Sequence, residues 1–180
     1  NKPTAFIIFG VTGDLTSRKL IPALYELAVD HRLPEDFTLV GFARRDWNKE
    51  ILSKVIIDSI TEYLETKTVD NGGIEKIISQ ANYIQSSFDD IEGYKRLYTL
   101  LHENKIKNVL FYLATPPDSY IKIIQNIGLA GLLQRETPGW SRIIIEKPYG
   151  KDLQSAKILE EEVHKVFDED QIYRIDHYLG

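Results

Sequence analysis

Short apolar segments alternate with amphipathic segments along nearly the whole chain, and this alternation constrains the fold more than any other feature. The apolar segments are rich in β-branched and aromatic residues, whereas the segments between them carry apolar residues at helical spacing. Strands are predicted over residues 5–9, 37–42, 83–88, 108–114, 142–146 and 172–179. Strands and helices that alternate in this way predict an α/β fold with a doubly wound parallel sheet.

Capping residues and prolines mark where the predicted helices begin, bend and end. A helix begins near Leu15, and Pro22 predicts a bend in it because proline lacks a backbone N–H. Asp46 and Asp118 are predicted N-caps of the helices that follow the second and fourth strands. The remaining predictions are helices over residues 92–103 and 152–166 and a loop over residues 67–73.

The composition excludes several classes of protein. With 43% hydrophobic and 27% charged residues among 180, the chain is expected to form one soluble globular domain. Its formal net charge of -5 disfavours a nucleic-acid partner, because an acidic surface repels phosphate backbones. No apolar stretch is long enough to span a bilayer, so no membrane partner is expected. The lack of cysteine suits a cytoplasmic protein, and no spacing of metal ligands appears, so no metal is expected.

The turn after the first predicted strand contains two glycines. Gly10 permits a tight turn, and Gly13 lets a phosphate approach the backbone at the start of the next helix. Thr12 adds a hydroxyl donor, whereas Asp14 is expected to cap the helix or to turn aside. Because the pattern departs from the full G-x-G-x-x-G of dinucleotide sites, an ordinary strand-to-helix turn stays open as an alternative.

Two arginines follow the second predicted strand, where NAD-selective sites usually carry an acidic residue. The guanidinium groups of Arg44 and Arg45 suit a 2′-phosphate, because arginine binds phosphate with two parallel hydrogen bonds and stays charged. This pair predicts NADP rather than NAD as the coenzyme. The alternative is that both arginines are solvated surface residues.

Further polar residues follow the last two predicted strands. Lys147 comes directly after an isoleucine-rich strand and is expected at the carboxyl end of the sheet, with Pro148 after it in either the cis or the trans form. Strand alternation places Asp176 and Tyr178 on one face and His177 on the other, so Asp176 and His177 are not expected to pair. A solvated lysine and a fraying strand end are the alternatives.

These motifs, taken together and in chain order, resemble the glucose-6-phosphate dehydrogenase family. The resemblance is carried by residues 10–15 and 18–24, by Glu-Lys-Pro-Tyr-Gly at 146–150, and by Tyr-Arg-Ile-Asp-His-Tyr-Leu-Gly at 173–180. It implies a Rossmann-like, three-layer αβα dinucleotide-binding domain over residues 1–180. A larger α+β catalytic domain is expected to follow outside this sequence. The implied reaction is NADP-dependent oxidation of D-glucose 6-phosphate to 6-phospho-D-glucono-1,5-lactone, the first step of the oxidative pentose phosphate pathway.

The resemblance also implies roles for single residues. Asp176 resembles the carboxylate that orients a catalytic histidine, and Lys147 is a second catalytic candidate. That histidine lies downstream in the family, so this chain alone is expected to be nearly inactive. The candidate coenzyme-binding residues are Gly10, Thr12, Gly13, Asp14, Leu15, Arg44, Arg45, Thr115, Pro116 and Lys147. The candidate substrate-binding residues are Lys19, Lys147, His177 and Tyr178.

Two other functions stay open. One is a different sugar oxidoreductase with a dinucleotide fold, in which the lysine of Glu-Lys-Pro itself acts in catalysis; this reading leaves residues 173–180 unexplained. The other is an NADP-binding relative that keeps the fold without turnover. For the full-length enzyme, the resemblance implies a homodimer or homotetramer that assembles through the downstream domain.

Overall fold

Six parallel strands form one sheet in the computed structural model, which describes residues 2–65, 67–133 and 139–176. The strands are β1 (Thr4–Phe9), β2 (Phe37–Ala43), β3 (Ala81–Gln85), β4 (Asn108–Leu113), β5 (Trp140–Glu146) and β6 (Ile172–Ile175). Their spatial order is β3-β2-β1-β4-β5-β6. This is the strand order of doubly wound dinucleotide-binding sheets, so the predicted α/β, Rossmann-like fold is confirmed.

Helices cover both faces of the sheet and give three layers. The α-helices of the described residues are α1 (Ile21–Val29), α2 (Lys49–Leu64), α3 (Asn71–Ile78), α4 (Ile91–Glu103), α5 (Tyr120–Leu129) and α6 (Leu153–His164). Helices α1 to α3 supply one hydrophobic core, whereas α4 to α6 supply the other. None of these helices has both the length and the apolar composition needed to cross a membrane.

The central strand β1 separates the two cores. Ala5, Ile7 and Phe9 face the core shared with α4 to α6, while Phe6 and Ile8 face the core shared with α1 to α3. Every residue of β1 is buried, because a central parallel strand is covered on both faces. This explains why its sequence is continuously apolar and was readily predicted as a strand.

An aromatic cluster lies beneath the carboxyl edge of the sheet. The ring centres of Phe9 and Phe42 are 4.9 Å apart, and Tyr94 of α4 lies 4.9 Å from Phe42 and 5.8 Å from Phe9. The Tyr94 hydroxyl donates to the carbonyl of Phe88 at 2.7 Å, which holds the loop after β3. Each such ring pair stabilises the fold by about 0.5–1.5 kcal/mol beyond its buried area, so the ends of β1 and β2 have a firm support.

Both aspartate N-caps that the sequence predicted after β2 and β4 are wrong. Asn48, not Asp46, caps α2, and its side-chain oxygen accepts the N–H of Ile51 at 2.8 Å. Asp118 lies inside a 3-10 turn, and the N-cap position of α5 is Ser119. A helix start depends on where the backbone changes from extended to helical, and several polar residues before each helix made that point ambiguous.

Helix α3 begins inside the segment that was predicted to be a loop. The Asp70 side chain accepts the N–H of Gly73 at 3.2 Å, and the Asp70 N–H donates to the hydroxyl of Tyr25 at 2.9 Å. Ile74 and Ile77 are buried against the core on the α1 side of the sheet. This tertiary packing and the cap offset the poor helix propensity of the adjacent glycines, which is why local composition misidentified the segment.

The strand predicted over residues 83–88 is β3, and it begins and ends earlier. Phe88 lies beyond the strand and stacks on Phe42 with a ring distance of 6.2 Å, so it is apolar for packing rather than for strand pairing.

The predicted bend at Pro22 coincides with a change of helix type. A π-helical segment, Thr16–Leu20, ends there, and Pro22 occupies the first turn of α1, where its missing N–H is tolerated.

Candidate functional site

The carboxyl ends of the parallel strands meet along one edge of the sheet. Phe9 is in register with Phe42 and with Leu113, and Ile145 is in register with Leu113 and with Arg174. Residues that follow these strands therefore lie along the same edge. They include five predicted site residues, namely Gly10, Arg44, Thr115, Lys147 and Asp176.

Strands β1 and β4 lie side by side where the strand order reverses, and the position between the loops that follow them, residues 10–15 and 114–117, is called the crevice. The chain leaves β1 towards α1 on one face of the sheet and leaves β4 towards α5 on the other. The two connections therefore continue on opposite faces of the sheet. Open α/β sheets bind ligands at such a reversal of strand order.

Gly10 is required by the turn after β1. Its φ is 86°, in the left-handed region that side chains rarely adopt. A Cβ atom there would lie 2.7 Å from the carbonyl oxygen of Ala114 and 2.9 Å from Cγ2 of Thr115. The Gly10 carbonyl accepts the N–H of Gly13 at 3.1 Å and the hydroxyl of Thr16 at 3.3 Å. The loop therefore folds tightly against the end of β4.

Gly13 is exposed and has open space above it. The nearest atom to a Cβ built on Gly13 is the Gly10 carbonyl oxygen, at an ordinary contact distance of 3.4 Å. The fold alone therefore does not require glycine at this position. A phosphate that approached the free N–H groups at the helix start would require it, and the loop fits the pyrophosphate of a dinucleotide in this respect. Thr12 and Leu15 flank Gly13 and are half-buried.

Asp14 does not cap the helix that follows the loop. The N-cap position of the π-helical segment is Leu15, and it has no side-chain cap hydrogen bond among the described residues. The Asp14 side chain is exposed, while its carbonyl accepts the hydroxyl of Ser17 at 3.2 Å. The capping role expected from the sequence is thus wrong, and the alternative, in which the carboxylate turns aside, fits the exposure of the side chain.

Arg44 and Arg45 follow β2 with exposed side chains on a braced backbone. The Tyr83 hydroxyl lies 2.6 Å from the Arg45 carbonyl, and the Gln85 amide donates to the Arg44 carbonyl at 3.4 Å. Burial raises the pKa of Tyr83 to about 12, so the hydroxyl keeps its proton and can donate. Sequence reasoning missed Tyr83. This residue is in register with Gly41 of β2, and only the pairing of β2 with β3 reveals that position.

Thr115 and Pro116 line the β4 side of the crevice. Thr115 is buried, and its hydroxyl donates to the Pro116 carbonyl at 3.2 Å. Pro116 is exposed. The contact between Thr115 and the Gly10 turn brings the two loops of the crevice together.

Lys147 extends an exposed side chain from the end of β5. Its backbone N–H donates to the Ile175 carbonyl at 2.9 Å, and the peptide bond to Pro148 is cis. The Lys147 Nζ atom lies 5.9 Å from the centre of the Tyr149 ring. Asp176 directly follows β6 and is exposed, so Lys147 and Asp176 extend from two strands that are hydrogen-bonded at their ends.

Two tyrosines fix the residue before Lys147. The Tyr112 hydroxyl donates to Glu146 Oε1 at 2.5 Å, and the Tyr120 hydroxyl donates to the Glu146 carbonyl at 3.2 Å. Burial together with the Glu146 carboxylate raises the pKa of Tyr112 well above its usual value, and burial raises the pKa of Tyr120 to about 12. Both hydroxyls thus stay protonated donors. Sequence reasoning missed these contacts, because they depend on register between β4 and β5.

The remaining predicted site residues do not lie directly at a described strand end. Lys19 is exposed in the π-helical segment that follows the glycine loop, next to Arg18. His177 and Tyr178 lie outside the described residues. β6 ends at Ile175, so the strand alternation predicted for Asp176 does not extend to it.

Comparison with known proteins gives the same result for sequence and for structure. Residues 7–180 match the family model described as glucose-6-phosphate dehydrogenase, NAD binding domain. The chain is 41% identical over 186 residues to glucose-6-phosphate 1-dehydrogenase of Chlamydia muridarum, an alignment that covers 99% of this chain and 37% of that protein.

Two solved structures share the fold closely. One is glucose-6-phosphate 1-dehydrogenase from Mycobacterium avium, with a TM-score of 0.84 and 30% identity over 98% of this chain and 37% of that one. The other is a glucose-6-phosphate dehydrogenase in complex with its substrate glucose-6-phosphate, with a TM-score of 0.84 and 32% identity over 99% of this chain and 37% of that one.

This chain therefore spans little more than a third of the length of these relatives. The family match extends over nearly all of its residues, and the strand order is that of a dinucleotide-binding domain. The chain belongs to the glucose-6-phosphate dehydrogenase family, in which it corresponds to the NAD-binding domain.

Proposed function

We propose that the protein carrying this chain oxidises D-glucose 6-phosphate at C1 to 6-phospho-D-glucono-1,5-lactone, with NADP as the coenzyme. The observation that carries the proposal is the parallel sheet with its aligned strand ends. In a chain of this family, it gathers a glycine loop, a pair of exposed arginines, a strand-end lysine and a strand-end carboxylate along one edge. The relative solved with glucose-6-phosphate supports the choice of substrate.

The coenzyme would lie across the crevice between the loops after β1 and β4. The open space at Gly13 suits the pyrophosphate, and the exposed guanidinium groups of Arg44 and Arg45 suit the 2′-phosphate. Thr12, Asp14 and Leu15 would complete the loop contacts. Thr115 and Pro116 would border the nicotinamide half. When bound, NADP supplies the hydride acceptor.

The sugar phosphate would be held by Lys19, Lys147, His177 and Tyr178. Cationic groups that bind a remote phosphate fix the position of the reacting carbon, which is an effective use of binding energy. Asp176 would accept the N–H of a catalytic histidine supplied by a downstream domain, and would hold that imidazole in the form that removes the C1 hydroxyl proton. Lys147 would also contact the coenzyme.

The larger α+β domain that supplies this histidine is part of the proposal. Such a domain accounts for the length of the relatives, of which this chain covers little more than a third. We infer that the full-length enzyme is a cytoplasmic homodimer or homotetramer that assembles through that domain. Its substrate is a small molecule and not a nucleic acid.

Turnover by the full-length protein tests this function, with an Arg44→Ala variant as the probe of coenzyme choice. NADPH formation should be rapid with glucose 6-phosphate and far slower with unphosphorylated glucose. Arg44→Ala should weaken NADP binding about 10- to 100-fold, since a hydrogen bond to a charged group contributes about 1.5–3 kcal/mol. NAD binding should be nearly unchanged in the same calorimetric titrations.

Arg142→Ala is the matched control, because Arg142 stacks on Trp140 within β5, 4.2 Å from the ring centre, rather than at the strand end. Equal losses for NADP and NAD in Arg44→Ala would contradict the assignment of the 2′-phosphate. Coenzyme binding without turnover would instead favour a non-catalytic relative. Equal turnover of glucose would favour a different sugar oxidoreductase.

A further inference from the structure

Arg174, at the end of β6, binds two carboxylates that belong to two other elements. Its Nε and Nη2 atoms donate to the two oxygens of Glu160 on α6, each at 2.7 Å. Its Nη1 and Nη2 atoms donate to Glu169, in the 3-10 turn before β6, at 2.6 and 3.1 Å. The Arg174 side chain is only 25% exposed. Paired, partly buried hydrogen bonds of this kind fix a side chain more firmly than a single surface ion pair does.

His164 completes this arrangement from the end of α6. Its Nε2 atom lies 2.5 Å from Glu169 Oε2, and its Nδ1 atom lies 2.6 Å from the Glu160 carbonyl oxygen. The ligand atoms of Glu160, His164 and Glu169 are within 4.8 Å of one another, close enough for a metal ion. However, both carboxylates are already engaged by the guanidinium of Arg174, so the three residues serve as its anchor.

This anchor acts on the part of β6 that leads into the candidate site. Among the described residues, β6 is the last strand in the order of the sheet, has four residues and pairs with β5. Arg174 stands two positions before Asp176, and the carbonyl of the intervening Ile175 accepts the N–H of Lys147. The end of β6 is therefore held by its pairing with β5 and by the contacts of the Arg174 side chain with Glu160 and Glu169.

The charges of several of these groups act on Tyr149. Tyr149 lies in the segment just after Lys147, and burial raises the pKa of its hydroxyl. The charge of Arg174 opposes this rise, while the charges of Glu160 and Asp176 add to it. All three charges thus act at the segment that carries Lys147.

We propose that Arg174 is a positioning residue, which holds the end of β6 to α6 and so fixes Asp176 relative to Lys147. The catalytic part of this inference rests on the proposed function, in which Asp176 orients the general base. Arg174 itself contacts structural carboxylates and has no assigned contact with a ligand. Its effect arises because a displacement of about 1 Å at a reacting group costs on the order of 100-fold in rate.

The first test measures the local structure and does not depend on catalysis. In the full-length protein, Arg174→Gln should speed hydrogen exchange of the Lys147 amide about tenfold or more, because its acceptor is the Ile175 carbonyl next to the lost anchor. Arg142→Gln, which removes a half-buried arginine from the middle of β5, should leave that exchange rate unchanged. Unchanged exchange in Arg174→Gln, or an equal rise in both variants, would overturn the proposal.

The second test measures turnover and its pH dependence. Arg174→Gln should lower kcat/KM for glucose 6-phosphate about 10- to 100-fold, while the Kd for NADP changes less than about twofold. The acid limb of the pH profile of kcat/KM should move to lower pH, because a displaced Asp176 no longer raises the pKa of the base. Arg174→Lys keeps the positive charge but loses the two parallel hydrogen bonds of the guanidinium group, so its kcat/KM should lie between the values for wild type and Arg174→Gln.

Glu160→Gln provides a second route if Arg174→Gln does not fold, since it leaves the contact between Arg174 and Glu169 intact. It should shift the pH profile in the same direction by a smaller amount, and a wild-type profile would overturn the proposal.

The two tests separate the role of Arg174 from the proposed function. If the wild-type protein showed no turnover, the proposed function alone would be refuted, since the exchange test still decides the role of Arg174. Normal turnover with unchanged exchange would refute the positioning role alone.

Discussion

At the scale of single residues, the two glycines of the loop after β1 are present for different reasons. Gly10 adopts a backbone conformation that disfavours any side chain, and it lies against the β4 loop. Gly13 has neither constraint. The sequence predicted the turn role of Gly10, which its φ of 86° confirms, whereas the approach of a phosphate to Gly13 stays a prediction. It left two alternatives for Asp14, because a capping side chain and an exposed one have the same sequence signature, and the exposure of the side chain fits the second.

Alanine substitutions at these two glycines should therefore have opposite effects. Gly10→Ala should lower the free energy of unfolding by about 1–3 kcal/mol, because its φ is 86° and its Cβ would lie 2.7 Å from the Ala114 carbonyl oxygen. Gly13→Ala should leave stability unchanged or raise it by up to about 1 kcal/mol, but weaken NADP binding. Urea unfolding and calorimetric titration measure both effects. A Gly13→Ala protein that binds NADP normally would contradict close approach of the phosphate.

At the scale of elements, the strands in the middle of the sheet were the most predictable parts of the fold. β1 and β4 lie at the centre and read as continuous apolar segments because both of their faces are covered. α3 was missed, because burial of Ile74 and Ile77 outweighs the glycines beside them. β3 was displaced along the chain, because Phe88 packs in the core without belonging to a strand. Tertiary contacts determined both the formation of α3 and the position of β3. The local sequence does not record such contacts.

The start of α2 offers a direct test of the corrected cap. Asn48→Ala should lower the free energy of unfolding by about 1 kcal/mol, because it removes the acceptor of the Ile51 N–H. Asp46→Ala, two residues earlier, should change it by less than about 0.5 kcal/mol. Thermal or urea unfolding of the two variants measures the difference. If Asp46→Ala were the more damaging change, the helix would begin where the sequence alone suggested.

At the scale of the whole molecule, connectivity made the candidate site predictable in outline. Parallel strands bring their carboxyl ends to one edge, so Gly10, Arg44 and Lys147 could be grouped without coordinates. The contacts that stiffen this edge could not be predicted. The bonds from Tyr112 to Glu146 and from Arg174 to Glu160 depend on strand register and on the placement of α6, which no local pattern records.

The ion network around Glu169 should make the stability of the whole fold sensitive to acid. Hydrogen bonds from Arg174 and His164 lower the pKa of Glu169 from 4.5 to about 2. Because the pKa is lower in the folded state, the stabilisation is fully present above the ordinary pKa and is lost as the pH falls towards about 2. Wild type should therefore exceed Glu169→Gln in free energy of unfolding at pH 6, and this advantage should shrink towards pH 3.

Urea unfolding at a series of pH values measures this difference. The same hydrogen bond with Glu169 raises the pKa of His164 above its ordinary value. Glu75→Gln is the control, because it changes the net charge by the same amount at a position outside the network. The difference in free energy of unfolding between wild type and Glu75→Gln should not shrink in the same way between pH 6 and pH 3. An advantage over Glu169→Gln that is constant from pH 6 to pH 3 would contradict the prediction.

The divergence of α1 and α5 from adjacent strands has a consequence for how such a protein can change. The position of the candidate site is set by the path of the backbone, because the connections after β1 and β4 continue on opposite faces of the sheet. Exposed residues along this edge, such as Arg44 and Lys147, can therefore be exchanged without disturbing the supporting layers, whereas Gly10 cannot. One framework can in this way accept new ligands over evolutionary time while its interior stays the same.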